Sequence, residues 1–384
     1  MPVTFKPSAG PTLGLEWELG IIDTASRDLV PAAGEVVDAL RRPDGSPDPR
    51  VHRELLRNTV ELVTGICSTV AEAADDLAAA LESVRAVTEP RGLALFSAGT
   101  HPFAQSLEQE VSTGPRYATL IDRTQWWGRQ MLIFGVHVHV GVRSADRVLP
   151  ILNGLLVRYP HLQALSASSP YWGGADTGYA SNRALMFQQL PTAGLPFQFE
   201  TWAEFEGYVD DMFTTGVIDD YKEIRWDIRP SPALGTIEMR VCDGVPTLRE
   251  VAALAALTQC LVVDLDDQLA AGRTPATLPP WYVQENKWRA ARYGLDAEVI
   301  IDAAGRERLV TDDLLDLLDR LEPVARRLGC LEELGWVAQI PRTGASYQRQ
   351  RRAAARHNGD LGAVVDSLVA ELRSGRPDGQ HGAG

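Results

Sequence analysis

Two glutamates, Glu16 and Glu18, stand one residue apart in the run "GLEWELGIID" (residues 14–23). The apolar residues around them predict a strand, and side chains along a strand alternate between its two faces. Both carboxylates therefore share one face, and the three apolar side chains around them share the other. An ordinary solvent-exposed face explains such a pair about as well as a functional site does, so the interpretation depends on other strands.

The same alternation recurs on later strands. In "GVHVHVGV", His137 and His139 share a face opposite four valines, and in "GTIEMRVCD", Glu238 and Arg240 share a face opposite apolar residues. Glu61 lies among valine and leucine in "NTVELVTGI". Because these side chains are Glu, His and Arg on otherwise apolar strands, strands lining a common cavity explain them better than separate solvated faces.

Such a cavity is suited to a metal ion. Neighbouring carboxylates repel one another, and each raises the pKa of the next unless a cation neutralises them. Glutamate oxygens together with an imidazole suit Mg²⁺ or Mn²⁺. An arginine beside a metal-binding glutamate, as in Glu238 and Arg240, fits the transfer of a phosphoryl group. Of His137 and His139, one is expected to bind the metal directly and the other to support it.

Asp227 and Arg229 lie in "WDIRPSP", an extended segment interrupted by prolines. These two side chains have two interpretations, a structural ion pair or contacts to a ligand, and the sequence does not choose between them. His101, in "GTHPF", is likewise open to a structural or a functional role.

Composition limits the possible partners. The chain has 384 residues, 45% of them hydrophobic, and a net charge of −14. That charge argues against nucleic-acid and anionic-membrane partners, since phosphate binding needs clustered positive charge. The four cysteines form no CxxC pair, which argues against a disulfide framework or a zinc ribbon and favours a reducing cytoplasm. The longest apolar run, residues 251–263, is too short to span a bilayer.

The expected elements mix helices and strands without a regular βαβ rhythm, which predicts an α+β fold. Apolar periodicity predicts helices over 69–88, 247–271 and 311–328. We expect one domain over residues 1–372, because no linker divides the chain, and a disordered tail over 373–384.

Nucleotide-binding motifs of the common kinds are missing, since the sequence contains neither GxxxxGK[ST] nor a GxGxxG that opens a helix. A specific resemblance replaces them. The motifs "TLGLEWELGIID", "VELVTGI", "GTHPF", "GVHVHVGV", "QLPTAGLP", "WDIRPSPALGTIEMRVCD" and "ENKWRAARYGL" occur in this order from about residue 12 to about residue 350. In them the chain resembles the glutamate–cysteine ligase type 2 family, the YbdK-like carboxylate–amine ligases of bacteria.

The resemblance implies a glutamine-synthetase-like catalytic fold, in which a curved, mainly antiparallel sheet forms a cup with helices packed on its outer face. It implies a cytoplasmic, ATP-dependent carbon–nitrogen ligase that uses Mg²⁺ (or Mn²⁺). The implied reaction joins L-glutamate to L-cysteine through a γ-glutamyl phosphate and releases ADP and phosphate. A homodimer is the expected assembly.

The resemblance also assigns roles to particular residues. It implies metal ligands at Glu16, Glu18, Glu61, His137 and Glu238. It implies a catalytic, phosphate-contacting role for Arg240. The chemistry of the guanidinium group adds Arg229 as a second catalytic or substrate contact, and Arg183 as a contact to substrate or phosphate. His139 is expected to contact substrate or phosphate next to the metal.

Three alternatives stay open. The same ligase chemistry fits an amine acceptor other than cysteine. The HxH of residues 137–139 also suits a binuclear metal amidohydrolase, although such a site needs further histidines at strand ends. A non-catalytic sensor of ATP or an amino acid would keep the same side chains without turnover.

Overall fold

A seven-stranded antiparallel sheet contains every segment that the strand patterns singled out. The computed structural model describes residues 3–377, and within them the strand order of this sheet is β2-β3-β1-β5-β9-β8, with β4 also paired to β1. The strands are β1 (Leu13–Asp23), β2 (Val51–Arg53), β3 (Thr59–Val63), β4 (Leu93–Phe96), β5 (Val136–Gly141), β6 (Tyr171–Trp172), β7 (Ala175–Asp176), β8 (Ile228–Ser231), β9 (Thr236–Met239), β10 (Glu298–Ile300) and β11 (Glu307–Leu309). Strands β6–β7 and β10–β11 form two separate hairpins.

Helices cover the apolar face of this sheet and fill most of the connections. They are α1 (Ala33–Ala39), α2 (Val70–Thr88), α3 (Pro115–Arg129), α4 (Ala145–Ser166), α5 (Arg183–Phe187), α6 (Trp202–Thr214), α7 (Leu248–Ala270), α8 (Pro280–Tyr293), α9 (Val310–Leu328), α10 (Leu331–Val337), α11 (Ile340–Thr343), α12 (Ser346–Arg356) and α13 (Leu361–Ser374). The helices predicted over 69–88, 247–271 and 311–328 correspond to α2, α7 and α9. The predicted α+β class with an antiparallel sheet is confirmed.

The apolar side of β1 forms the centre of the core. Leu15, Trp17 and Leu19 are each fully buried, as the alternation along the strand requires. The Trp17 indole Nε1 donates to Ser97 Oγ at 3.0 Å and to the carbonyl of Val245 at 3.2 Å. This face is covered by α2 and α7, and the opposite face of the strand is left for the glutamates.

Helix α7 lies behind the sheet, where it packs against β5, α2, α4, α9 and α10. It is buried on nearly all sides because almost every residue from Val251 to Val263 is apolar. Its first turn is capped by Thr247, whose side chain accepts a hydrogen bond from the backbone N–H of Glu250. A rigid apolar layer therefore supports the strands from the outside.

Proline positions β8 at the edge of the sheet. Pro230 lies within β8, which pairs only with β9. Since proline lacks a backbone N–H, it is tolerated at an edge and not in the middle of a sheet. The extended segment predicted for "WDIRPSP" is thereby an edge strand, and its neighbour β9 carries Glu238.

Helix α13 ends at Ser374, and residues 378–384 of the predicted tail lie outside the described residues. The boundary of a single domain at residue 372 stays a prediction. Within residues 3–377, no helix combines the length and the apolar character needed to cross a membrane.

Replacing Trp17 tests whether the apolar face of β1 holds the sheet against its helices. We expect Trp17→Ala to lower the free energy of unfolding by about 3–5 kcal/mol, because it removes a fully buried aromatic side chain and leaves a cavity. Urea denaturation followed by circular dichroism measures the change. Trp281→Ala is the matched control, since Trp281 is 65% exposed and its loss should cost about 0.5 kcal/mol or less. Equal effects of the two substitutions would contradict this account of the core.

Candidate active site

The register of the sheet places the predicted side chains opposite one another in a row. Glu18 on β1 pairs with Glu61 on β3, and Glu16 on β1 pairs with His137 on β5. Directly opposed residues of antiparallel strands project from the same face. The row continues on the other side of β5, where β9 and β8 pair.

Glu238 on β9 lies opposite two residues at once. Its partner on β5 is His139, and its partner on the edge strand β8 is Arg229. The two histidines, Glu16 and Glu238 therefore occupy adjacent positions on the inward face. Five strands, β3, β1, β5, β9 and β8, contribute one or two side chains each, so that the site exists only when the whole sheet has formed.

The first of two clusters consists of Glu16, His137 and Glu238, and we call it the histidine cluster. Each of these residues offers a ligand atom, and the three atoms lie within 4.8 Å of one another. His137 Nδ1 is 2.7 Å from Glu16 Oε2. His139 is adjacent, with Nε2 at 3.3 Å from Glu16 Oε1 and 3.7 Å from Glu238 Oε1. Its Nδ1 lies 2.9 Å from Thr236 Oγ1, which fixes the orientation of the ring.

The second cluster consists of Glu18, Glu54 and Glu61, and we call it the acidic cluster. Its three ligand atoms also lie within 4.8 Å of one another. The backbone N–H of Gly135 donates to Glu18 Oε2. Glu54 was missed in the sequence, where it follows the short strand β2 in "VHRELLRNTVELV". The available signal was its alternation with Arg53 and Leu55, which is weak in so short a strand.

Charge is compensated within the histidine cluster. Burial raises the pKa of Glu16, but the hydrogen bond with His137 and the nearby imidazole of His139 outweigh it and hold that pKa well below its usual value. Burial likewise raises the pKa of Glu238, and the positive charges of Arg229 and Arg240 reverse the shift and keep the carboxylate ionised.

The acidic cluster lacks this compensation. Burial and then the charge of Glu54 raise the pKa of Glu18 to about 8. Burial, followed by repulsion from Glu54, Glu16 and Glu18, raises the pKa of Glu61 well above its ordinary value. Burial also raises the pKa of Glu54. A cation bound among these carboxyl groups would favour their ionised forms and lower the three pKa values again.

Both clusters fit a divalent cation by the chemistry of their donor atoms. Each gathers three oxygen or imidazole ligands, the set that Mg²⁺ and Mn²⁺ accept. In the histidine cluster, the buried His139 Nε2 makes no hydrogen bond of good geometry to any residue in the described part of the chain. His137 belongs to the cluster directly, and His139 supports it through Glu16.

Two of the three predicted arginines, Arg229 and Arg240, form hydrogen bonds to Glu238. Arg229 Nε donates to Glu238 Oε2 at 2.6 Å, and Arg240 Nη1 donates to Glu238 Oε1. Arg229 Nη1 also donates to the carbonyl of Ile224 at 2.8 Å, so much of its guanidinium is used within the protein. Arg229 is thereby placed to hold Glu238, and its predicted contact to substrate stays a prediction.

Arg183, at the start of α5, is buried beside the histidine cluster. Its Nη1 donates to the carbonyl of Arg240 at 3.1 Å, and its Nη2 lies 3.4 Å from His137 Nε2. Any side chain at Gly135 would collide with this guanidinium. The Nε atoms of Arg183 and Arg240 are buried and make no hydrogen bond within residues 3–377, and both guanidinium groups lie near the Phe187 ring. These two donors are available to an anionic ligand.

Of the two interpretations left open for Asp227 and Arg229, the structural ion pair between them is not formed. Asp227 Oδ2 instead accepts hydrogen bonds from Lys287 Nζ at 2.7 Å and Tyr159 OH at 3.0 Å, and all three residues are buried. Asp227 precedes the edge strand β8, so its side chain meets α4 and α8, whereas Arg229 lies within β8 opposite Glu238.

Two other histidines lie outside the cup, the name used from here on for the sheet face that carries the histidine cluster and the acidic cluster. His161, on α4, contacts Asp313 on α9 at 2.8 Å and lies away from the histidine cluster. Among the described residues, the additional strand-end histidines that a binuclear amidohydrolase needs are therefore not assembled at the site. His101 has Nε2 3.0 Å from the carbonyl of Arg27, and its Nδ1 accepts from the backbone N–H of Ala104.

With the geometry in place, comparison with known proteins decides the family. The model of glutamate–cysteine ligase family 2 (GCS2) matches residues 12–367. The chain belongs to this family. A relative from Mycobacterium ulcerans (strain Agy99), named "Putative glutamate--cysteine ligase 2", is 64% identical over 370 residues, 96% of this chain and 93% of the relative. A relative of the same name from Mycobacterium tuberculosis (strain ATCC 25177 / H37Ra) is 63% identical and covers 96% of this chain and 97% of its own length. The predicted resemblance and the predicted class, a ligase enzyme, are confirmed.

Solved structures of low sequence identity share the fold of this GCS2 family member. The crystal structure of glutamate–cysteine ligase from Francisella tularensis in complex with AMP has a TM-score of 0.68 at 13% identity and covers 96% of this chain and 90% of its own. A bifunctional glutathione synthetase from Pasteurella multocida has a TM-score of 0.69 at 14% identity and covers 95% and 52%. At these identities the likeness concerns the fold, and the predicted ligase fold is confirmed.

The buried His101 predicts a pH dependence of stability. Burial lowers the pKa of His101 to about 4, below the ordinary value of about 6.5 in the unfolded chain. The stability that the neutral ring contributes is therefore present above about pH 6.5 and is lost as the pH falls towards 4. Urea denaturation at several pH values should show a slope that is shallower in His101→Gln by up to about 1.4 kcal/mol per pH unit. Identical slopes in the two proteins would contradict a buried neutral His101.

The acidic cluster, which includes Glu54, predicts that the protein binds a second metal ion. We expect calorimetric titration with Mn²⁺ to give two bound ions in the wild-type protein and one in Glu54→Gln, because the substitution removes a charged oxygen from the acidic cluster alone. Glu35→Gln is the control, since Glu35 is exposed and outside both clusters. Two ions bound with unchanged affinity in Glu54→Gln would remove Glu54 from the metal site.

Proposed function

We propose that this protein is an ATP-dependent ligase that forms γ-glutamylcysteine from L-glutamate and L-cysteine through γ-glutamyl phosphate. The observation that carries the proposal is the pairing, on one face of the sheet, of two carboxylate clusters with two guanidinium groups whose Nε atoms are unpartnered among the described residues. Family membership supports the substrates, and the AMP bound by the F. tularensis ligase of the same fold supports a nucleotide.

The metal ions would be Mg²⁺ or Mn²⁺, held by Glu16, His137 and Glu238 in one cluster and by Glu18, Glu54 and Glu61 in the other. When bound, such ions neutralise phosphate oxygens and bring nucleotide and acid together. The protein's own contribution to these sites is to keep six ligand atoms in place on a buried sheet, so that little reorganisation accompanies binding.

In the first step, a carboxylate oxygen of the glutamate side chain bonds to the γ-phosphorus of ATP, and the bond from that phosphorus to the β-phosphate oxygen breaks. ADP leaves with the electron pair of that bond. Arg240 and Arg183 are the groups we assign to the transferred phosphoryl, because their Nε donors have no hydrogen-bond partner among residues 3–377, whereas Nη1 of each group is bonded within the protein. Arg229 positions Glu238 and keeps it ionised during this step.

In the second step, the cysteine amine attacks the γ-carbonyl carbon, the new C–N bond forms and the C–O bond to phosphate breaks. Phosphate leaves, and the amine loses one proton. The row of fixed carboxylates and guanidinium groups supplies orientation.

Cysteine as the acceptor and the cytoplasm as the location belong to the proposal as well. The acceptor rests on the family, since no residue described above marks a thiol pocket. The location is supported by the four cysteines, which are all free thiols. A homodimer remains the expected assembly.

The direct test measures phosphate release from ATP with Mg²⁺, L-glutamate and a panel of amines that includes L-cysteine. Release that requires both amino acids, with γ-glutamylcysteine identified by mass, is the expected result. Release that requires glutamate and a different amine would keep the ligase and replace the acceptor. Binding of ATP without release under any amine would favour a sensor and overturn the proposal.

Glu238 provides the sharpest variant for this assay. Glu238→Gln keeps the size of the side chain but removes the charge that Arg229, Arg240 and the histidine cluster share, and we expect turnover to fall at least about 100-fold. Circular dichroism should show a folded protein. Glu35→Gln, an exposed glutamate, should retain wild-type turnover under the same conditions. Wild-type turnover by Glu238→Gln at saturating Mg²⁺ would remove the histidine cluster from the mechanism.

A further inference from the structure

A second polar cleft lies outside the cup, between α4, the β10–β11 hairpin and α9. Its volume is about 520 Å³, within the range of small-molecule sites. Its charged lining consists of Arg158, Arg306, Arg308, Arg320, Asp313 and Asp316. Four arginines and two aspartates leave a net charge of +2 in a chain whose net charge is −14.

The two aspartates are already used by the protein. Asp313 Oδ2 accepts from Arg158 Nη1 at 2.5 Å and lies 2.8 Å from His161 Nε2, and its Oδ1 is 3.6 Å from Arg308 Nη1. Asp316 accepts a hydrogen bond from Arg308. These pairs fix the floor of the cleft and leave its other arginines without an acidic partner in the lining.

Arg320 supplies the unpaired charge, and Arg306 adds a guanidinium group that is paired at the turn of its hairpin. The Arg320 side chain makes no hydrogen bond or ion pair to any residue between 3 and 377, and Arg306 pairs with Asp302, which does not line the cleft. Burial lowers the pKa of Arg158. The negative charge of Asp313 raises that pKa in part, and the positive charge of Arg320 lowers it again. An anion bound between these guanidinium groups would relieve that repulsion.

We propose that this cleft binds a small oxyanion with at least two negative charges, either a phosphate ester or a polycarboxylate. Guanidinium forks match the planar or tetrahedral oxygens of such ligands better than those of a halide. The walls are one helix, one hairpin and one further helix, which are rigid elements of the fold. The ligand would be a molecule other than the proposed substrates bound in the cup.

The cleft is separate from the cup. None of its lining residues belongs to β1, β3, β5, β8 or β9, the strands that carry the two clusters. Helix α4 lies between the two places, since Arg158 contacts Asp313 on the cleft side and the next residue, Tyr159, donates to Asp227 just before β8. A ligand in the cleft can therefore be detected independently of turnover.

The test titrates the full-length chain with pyrophosphate, and in a separate experiment with tricarballylate, by calorimetry at constant ionic strength and without divalent cations. Without divalent cations, no metal ion can bridge the anion to the glutamates of the cup. One saturable site is expected in the wild-type protein. The tighter of the two probes distinguishes a phosphate ligand from a carboxylate ligand.

Three variants locate that site. The double variant Arg306→Gln/Arg320→Gln should bind the tighter probe at least about tenfold more weakly, because it removes two charge-assisted contacts from exposed positions. Arg326→Gln, on the same helix and paired with Glu322, should bind like wild type. Arg240→Gln, in the cup, should also bind like wild type.

Two results would overturn the proposal. One is the absence of saturable binding of either probe to folded wild-type protein up to about 10 mM. The other is binding that Arg240→Gln abolishes and the double variant retains, which would place the anion in the cup. Neither result bears on the ligase activity, which is measured separately by phosphate release.

Discussion

Repulsion between carboxylates that face one another across antiparallel strands is the constraint on which the site depends. Glu18 lies opposite Glu61, and Glu16 and Glu238 lie on either side of the β5 histidines. Such an arrangement costs free energy, and the sheet keeps it because its other face is fully buried against α2 and α7. Because side chains alternate along β1, its apolar side chains stabilise the core while its two glutamates repel the other carboxylates of the site.

The two clusters differ in whether neighbouring positive charges neutralise their carboxylates. In the histidine cluster, imidazole rings and guanidinium groups neutralise Glu16 and Glu238, and both carboxylates stay ionised. In the acidic cluster, burial and mutual repulsion raise the pKa values of Glu18 and Glu61. A cation entering the acidic cluster must therefore displace protons, whereas one entering the histidine cluster meets charges already held in place. We therefore expect cation binding to the acidic cluster to be more sensitive to pH than cation binding to the histidine cluster.

Much of the site could be predicted because a strand has a short period. Alternation along β1, β5 and β9 fixed which side chains share a face, and the sheet register brought those faces together. Glu54 escaped prediction because it follows a strand of three residues, where alternation is too short to be informative. The partner of Asp227 was also out of reach, since Lys287 is 60 residues away in the sequence and the pairing arises from the packing of α8. The cationic cleft is of the same kind, because α4, a hairpin and α9 meet only in the folded chain.

The use of arginine rather than lysine at the site follows from the same constraint. The sequence contains only three lysines, and Lys287, which is buried, is committed to Asp227. An ammonium group is a single point charge, so a lysine that neutralised Glu238 would have little left for a ligand. Arg240 instead uses Nη1 for Glu238 and keeps Nε unpartnered among residues 3–377, and Arg183 uses Nη1 for a backbone carbonyl and likewise keeps Nε. A planar group with several donors can hold a carboxylate of the protein, such as that of Glu238, and still present a hydrogen-bond donor to a phosphate.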